Sequence, residues 1–345
     1  MELRSKPSRR SREKTVIAGI LGIISVLVTW GWAPVQAQTV AKPEPETETI
    51  RLDTNLVVID AQVISRRNGE FIIGLKPADF ILYDDGFRQE ISHFSQDRLN
   101  LSMMLLLDLS GSVSPVLDEI RDNALGALSR LKKTDEVSLM AFSSQTELLQ
   151  DFTRDRQLVI NQIGRIRKTP VIGQGTSLFQ ALSDASHHMG RSASGSSRRI
   201  IIVITDNVAW DYNSTVLDES ELKRRVLDSG SMVCGLVVEG ALSRTEKIFL
   251  RNQSGRDIYR RRMSIDPFVE LTGGEMVRAN PLELSTQLTR LVEHLRSRYS
   301  FGYTPRREGN GSGFHQIRLE LTEQALRQLG EVTIRTRKGY RIGTR

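Results

Sequence analysis

Cysteine is almost absent from this 345-residue chain: Cys234 is the only one, so no disulfide can form within it. It lies in the apolar run Met232–Val238 and reads as a small buried core residue, not a reactive thiol. A strong charge of one sign is lacking as well. The formal charge is +7, but residues 1–37 hold six Lys or Arg against two Asp or Glu and so carry +4 of it. The remaining +3 makes no case for a nucleic-acid partner. There is no internal repeat, no complete G-x-G-x-x-G and no G-x-S-x-G elbow, which argues against a repeat array, a dinucleotide site and a hydrolase nucleophile turn. His187 and His188 are adjacent, point to different sides of a helix and have no His or Cys partner at ligand spacing, so they read as a packed or surface pair.

What is present is ordinary globular composition, 39% hydrophobic and 26% charged, with room for more than one domain. The first residues have the layout of an export signal. Arg4, Lys6, Arg9, Arg10, Arg12 and Lys14 precede an apolar run over 16–33, and Val35-Gln36-Ala37 fits the small-residue cleavage rule. Residues 1–37 are therefore predicted to be a signal peptide cut after Ala37; an uncleaved membrane anchor is the alternative. Either places the remainder outside the cytoplasm, in the periplasm, the cell envelope or the medium.

Residues 38–50 (QTVAKPEPETETI) bury little and read as a linker. Over 51–98 short β-branched runs follow: LVVIDAQVIS, an Asn68-Gly69 turn signal, FIIGL, and DFILYDDG. From 99 to 298 the pattern changes to apolar strands alternating with helices, which predicts an α/β fold with a doubly wound, mostly parallel sheet. The strands expected are 103–107, 137–142, 200–205 and 232–238, with a weaker one near 275–277. A helix beginning at Pro115 places Leu117, Ile120, Ala124, Leu128 and Leu131 on one stripe. Others are expected at 157–166, 178–189, 219–227, 265–271 and 282–298. Residues 299–345 return to β, with HQIRLEL and VTIRTR alternating, so two β segments flank the α/β region and are expected to pair with each other. Tyr299, Phe301 and Tyr303 read as strand side chains packing that β unit.

The chemistry concentrates in LLLDLSGSVSP, residues 105–115, where Asp108, Ser110 and Ser112 alternate just beyond a buried strand. Ligands of open α/β sheets bind beyond the carboxyl ends of the strands, which is where Asp108 stands. D-x-S-x-S alone is a weak signal in a chain with 33 serines. Two further stretches strengthen it: GQGTSL over 173–178 sets Thr176 before a helix, and IIVITD over 201–206 ends a second buried strand in Asp206. All five groups are hard oxygen donors, a set that suits Mg²⁺ or Mn²⁺ far better than zinc or copper.

In order and context, DLSGS, the threonine of GQGTSL and the aspartate of VITD resemble the metal-ion-dependent adhesion site of von Willebrand factor type A domains. The resemblance covers roughly residues 99–298. It implies that Ser110, Ser112 and Thr176 ligate Mg²⁺ or Mn²⁺ directly, that Asp108 and Asp206 act through water, and that a partner protein's Asp or Glu completes the coordination. Asn207 departs from the pattern, since the family usually has glycine there. The β flanks, LVVIDAQVISRRNGEFIIGLKPADFILYDDGFRQEISHF with YSFGYTP and RKGYRIG, are similar to exported bacterial VWFA-related proteins of acidobacterial type.

The expectation is an exported, non-enzymatic module that binds a divalent cation and, through it, a partner carboxylate. The alternative is an envelope assembly protein associating through its β flanks, with the metal only structural. An enzyme is not expected: Ser110 has no activating histidine, and Leu109 and Ser110 stand where a phosphorylated Asp108 would want further carboxylates. The arginines of RNQSGRDIYRRRM, Arg251, Arg256, Arg260, Arg261 and Arg262, lack an aromatic stacking series and read as a solvated loop.

Overall fold

The structure, a computed structural model, describes residues 56–96, 99–110, 126–166, 177–192, 197–207, 209–210, 217–239, 262–305 and 313–341. The predicted signal peptide and linker lie outside these residues, as do Ser112, Thr176, the arginines 251–261 and most of the helix expected from Pro115. Among the described residues no helix is long and apolar enough to cross a membrane.

The chain begins with β1 (Val57–Ser65), β2 (Phe80–Asp84), β3 (Phe87–Gln89) and β4 (His93–Gln96). The α/β region follows: β5 (Leu101–Asp108), β6 (Glu136–Phe142), β7 (Thr146–Thr153), α1 (Arg156–Arg165), α2 (Leu178–Met189), β8 (Arg198–Thr205), β9 (Ala209–Trp210), α3 (Glu219–Asp228), β10 (Met232–Val238), β11 (Arg262–Met263), α4 (Asp266–Thr272), β12 (Met276–Ala279) and α5 (Leu284–Arg296). The last elements are β13 (Tyr299–Tyr303), β14 (Phe314–Leu321), α6 (Glu323–Leu329), β15 (Val332–Thr336) and β16 (Gly339–Arg341).

The central sheet has the order β12-β10-β8-β5-β6-β7 and is parallel except for β7, which runs antiparallel at the edge. Its inner strands are mostly apolar because both faces are covered. Leu105, Leu107, Ile202 and Ile204 pack on one side with Val159 and Ile163 of α1 and Leu288, Leu291 and Leu295 of α5. Their neighbours Met104, Leu106, Ile201 and Val203 pack on the other side with Leu182 of α2, Val226 of α3 and Phe268 of α4. Alternate residues of one strand thus feed two separate cores. Asp155 and Asp218 accept backbone N–H bonds at the starts of α1 and α3, satisfying donors that a helix leaves unpaired there. Residues 126–128 are helical, and Leu128 and Leu131 of the expected stripe are buried with the first cluster, beside Ala127; Leu117, Ile120 and Ala124 lie outside the described residues.

The β flanks do pair. One sheet has the order β15-β1-β13-β4 and the other β16-β14-β2-β3, so each mixes strands from before and after the α/β region. Their side chains share one core in which Ile59, Phe80, Leu82, Tyr299, Phe301, Tyr303 and Leu319 are buried. Phe80 lies edge-on to Phe301 at 4.8 Å between ring centroids, a favourable aromatic geometry.

Three local expectations fail. FIIGL forms no strand, only a bridge from Phe71 to Ile64; the turn around Gly69 is made, but the chain then leaves the sheet edge. The strand β7 was not foreseen because TELLQDFT is half-exposed and its pairing with β6 shifts register, which erases clean alternation. The helix α6 was overlooked inside a region read as all β, although Thr322 caps it by accepting from Ala325 N.

A polar joint links the β unit to the central sheet. Arg198, the first residue of β8, donates to Asp60 Oδ1 of β1 at 2.9 Å and Ser300 Oγ of β13 at 3.0 Å, and also to the Leu295 carbonyl. Burial raises the Asp60 pKa, but the Arg198 charge and the hydrogen bonds from Arg198 and Ser300 outweigh it and hold the carboxyl below its ordinary value. Beside the joint, α4 ends in Gly273 at φ 70°, where a Cβ would come within 2.3 Å of the Thr336 carbonyl carbon of β15. Only glycine serves there. Asp60→Ala leaves the buried Arg198 without its counter-ion and is expected to cost about 3 kcal/mol in urea unfolding. Because the Asp60 pKa is depressed, its contribution is present above the unfolded value of 3.8 and is lost as pH falls through the folded value, so the wild type and Asp60→Ala should converge in acid.

Candidate metal centre

The neighbouring strands β5 and β8 run parallel, with Leu107 opposite Ile204, so their carboxyl ends arrive together at one rim. Asp108 ends β5 and is fully buried. Its Oδ1 accepts from Ser110 N at 2.9 Å and its Oδ2 from Thr205 Oγ1 at 2.7 Å. Burial pushes the Asp108 carboxyl up to about 6; the Thr205 and Ser110 hydrogen bonds oppose this, and the nearby Asp206 charge adds to it. Asp206 follows Thr205 directly and is half-buried, and Ser110 is buried.

The structure therefore brings three of the five expected ligands, Asp108, Ser110 and Asp206, to one rim; Ser112 and Thr176 lie outside the described residues. The residue after Thr176 is anchored at this rim. Ser177 N donates to the Ser143 carbonyl at 2.6 Å and Ser177 Oγ to the Ser144 carbonyl at 3.0 Å, just beyond the end of β6. These bonds fix the start of α2.

Two positioning residues escaped the sequence reading. Thr205 was seen only as the end of a strand, yet its hydroxyl orients Asp108 and accepts from Asn207 N at 3.0 Å. Asn207 has φ 59°, a left-handed conformation that Asn tolerates and most residues do not. That backbone is a physical reason for glycine at this point, and the Asn side chain adds what glycine cannot. Its Nδ2 donates to Asp266 Oδ2 at 2.7 Å and its Oδ1 accepts from Ile265 N at 2.9 Å, tying the rim to the start of α4. The signal for Asn207 was its departure from glycine; Thr205 had none.

The donor set fits a hard divalent cation. Every group at the rim is an oxygen donor, and the rim already bears the electrostatic cost of a buried carboxylate next to a second one, which a cation would relieve. The other features read from sequence play no part here. Cys234 is buried, and burial pushes its thiol up to about 11, which suits a core residue. His188 stacks on Phe152 at 5.3 Å and reaches Asp151 at 3.0 Å.

A family model described as the von Willebrand factor type A domain matches residues 103–208. No curated protein matches the chain in sequence. Similar solved structures include conserved hypothetical protein BatB from Bacteroides thetaiotaomicron, 16% identical, covering 57% of this chain and 97% of that one with a TM-score of 0.40. Another is the vWF domain of the type V pili tip protein Mfa5 from Porphyromonas gingivalis, 12% identical, covering 57% and 95% with a TM-score of 0.40. A third is proximal thread matrix protein 1 from the mussel byssus with a zinc-occupied MIDAS motif, 13% identical, covering 57% and 48% with a TM-score of 0.42. At these values the structural likenesses carry no argument about function.

A raised carboxyl pKa means that the folded state holds the proton more tightly, so the Asp108 cost appears as pH rises from 3.8 and is complete above about 6. In metal-free protein at pH 7, Asp108→Asn is expected to relieve up to about 3 kcal/mol, at roughly 1.4 kcal/mol per pH unit. Calorimetry in chelator should show a higher Tm for the variant at pH 7 and a smaller difference near pH 4, and Mg²⁺ should raise the Tm of the wild type alone.

Proposed function

Because residues 103–208 match a family model described as the von Willebrand factor type A domain, we propose that this chain is a non-enzymatic interaction module that holds Mg²⁺ or Mn²⁺ at the β5/β8 rim and captures a partner protein's carboxylate. The observation that carries this reading is Asp108, buried at the end of β5, clamped by Thr205 and Ser110, with Asp206 beside it. Such a carboxylate is costly to the apo fold and useful to a cation.

In this reading Ser110, Ser112 and Thr176 would ligate the ion directly, and Asp108 and Asp206 would hold it through water. When bound, the ion supplies a Lewis-acidic position for an Asp or Glu of the partner. Neutral hydroxyls as direct ligands would leave much of its charge uncompensated and available to that carboxylate. Thr205 fixes the Asp108 carboxylate, and Asn207 fixes the loop that carries Asp206. The composition of residues 1–37 supports export, which would bring the rim to partners in the periplasm, the envelope or the medium.

Titration calorimetry of the purified chain with Mg²⁺ and Mn²⁺ tests this. Saturable binding is expected in the wild type, with loss of at least tenfold in affinity in Thr176→Ala and Asp206→Ala and no change in circular dichroism. Crosslinking to neighbouring envelope proteins should likewise fail in chelator and in Thr176→Ala. Crosslinks that persist undiminished under both conditions would shift the interaction to the β unit, the competing reading.

A further inference from the structure

A second group of ligating side chains stands in the β unit, outside the rim. Asp84 ends β2, and Asp85 and Gly86, with φ of 49° and 81°, make the two-residue turn into β3. Positive φ at both positions is the hairpin turn for which Asp-Gly is suited. This turn lies against β14: Asp85 N donates to the Gln316 carbonyl at 2.9 Å, and Asp85 Oδ1 accepts from Gln316 N at 2.8 Å. His315, next along β14, places Nδ1 2.9 Å from Asp85 Oδ2 and 3.9 Å from Asp84 Oδ1.

Asp84 is 5% exposed. Its Oδ2 accepts from the hydroxyls of Tyr303 and Tyr340, each at 2.9 Å. Its Oδ1 accepts no hydrogen bond among the described residues and faces His315. A buried carboxylate oxygen without a hydrogen-bond donor carries a desolvation cost. The cluster offers one imidazole nitrogen and two carboxylate oxygens, all within 4.8 Å of one another. Two ligands held tetrahedrally about 2.0–2.2 Å from one ion lie about 3.4 Å apart, between the two separations seen here.

We propose that Asp84, Asp85 and His315 form a second cation site, for a borderline transition metal such as Zn²⁺. An imidazole with carboxylates suits that class, whereas the all-oxygen rim suits Mg²⁺ or Mn²⁺. The two tyrosines act as the outer partners that orient a ligating carboxylate. Each hydroxyl donates to Asp84 Oδ2 at 2.9 Å. His315 stacks on Tyr340 at 5.0 Å, which holds the ring plane. Asp85 is 46% exposed, leaving the site open to an entering ion and to water as a further ligand. The ion would join the two β flanks across 230 residues of sequence, pinning the β2–β3 turn to β14.

The test uses the purified full chain carrying Asp206→Ala, which removes a rim ligand, with Co²⁺ and Zn²⁺ as probes. The expected result is one Co²⁺ bound with the visible absorption of a tetrahedral nitrogen and oxygen site, displaced by Zn²⁺, together with a Zn²⁺-dependent rise in Tm. Adding Asp85→Asn should weaken Zn²⁺ binding by about 100-fold or more, at or beyond the upper end of what losing an outer partner costs. Asn tolerates the positive φ of the turn, so this variant keeps the fold, which circular dichroism checks. His315→Gln should act in the same direction. A folded Asp206→Ala chain that binds neither ion, or one whose Zn²⁺ affinity is unchanged by Asp85→Asn, would overturn the proposal and leave His315 as a simple partner of Asp85.

Discussion

The parallel pairing of β5 with β8 is the contact on which the rest of this protein depends. It sets residues 101–107 against 198–204, and both strands are buried on both faces. Apolar area removed from water contributes about 25 cal/mol per Å², so a pair of fully covered strands is a large source of stability. The same ladder fixes where the strands stop. Asp108 and Thr205 therefore meet at one rim, close enough for the threonine hydroxyl to reach the carboxylate at 2.7 Å.

That arrangement has a cost in stability. A buried carboxylate whose pKa has risen to about 6 opposes folding at neutral pH, and an apolar residue in its place would pack without that cost. The strands tolerate Asp108 because two hydrogen bonds hold it and because the two cores beneath supply a surplus. The rim is held by its own hydrogen bonds: Thr205, Ser110 and Asn207 fix the acidic groups, so little ordering entropy would be left to lose if a cation bound there.

The β unit belongs to the same system. Its two sheets are assembled from both flanks, so the loop-closure cost of forming it falls once the α/β region between them has brought its own ends together. Arg198 marks the coupling: it starts the central strand β8, and its guanidinium is held by Asp60 of β1, Ser300 of β13 and the last turn of α5. Arginine suits this position because its planar fork satisfies several acceptors at once.

The strands 232–238 and the helix 178–189 were legible to the residue in the sequence, because long apolar or amphipathic runs carry their own boundaries. The α/β class was legible for the same reason, as was the acidic and hydroxyl chemistry of Asp108, Ser110 and Asp206, whose residue types favour hard cations. Other features exist only in three dimensions. The antiparallel edge strand β7 takes its identity from the partner beside it, since its own residues barely alternate. Thr205 and Asn207 acquire their roles from a neighbouring strand and from the helix start at Asp266. The meeting of Asp84 and Asp85 with His315 joins residues about 230 positions apart, a separation that local sequence cannot encode. The sequence determined the apolar pattern of the strands and helices and what chemistry stands at the strand ends, because hydrophobicity and donor type are properties of the residues themselves. The tertiary structure alone decided which strands lie side by side, and hence which donors share a site, because pairing depends on closing long loops over a common core.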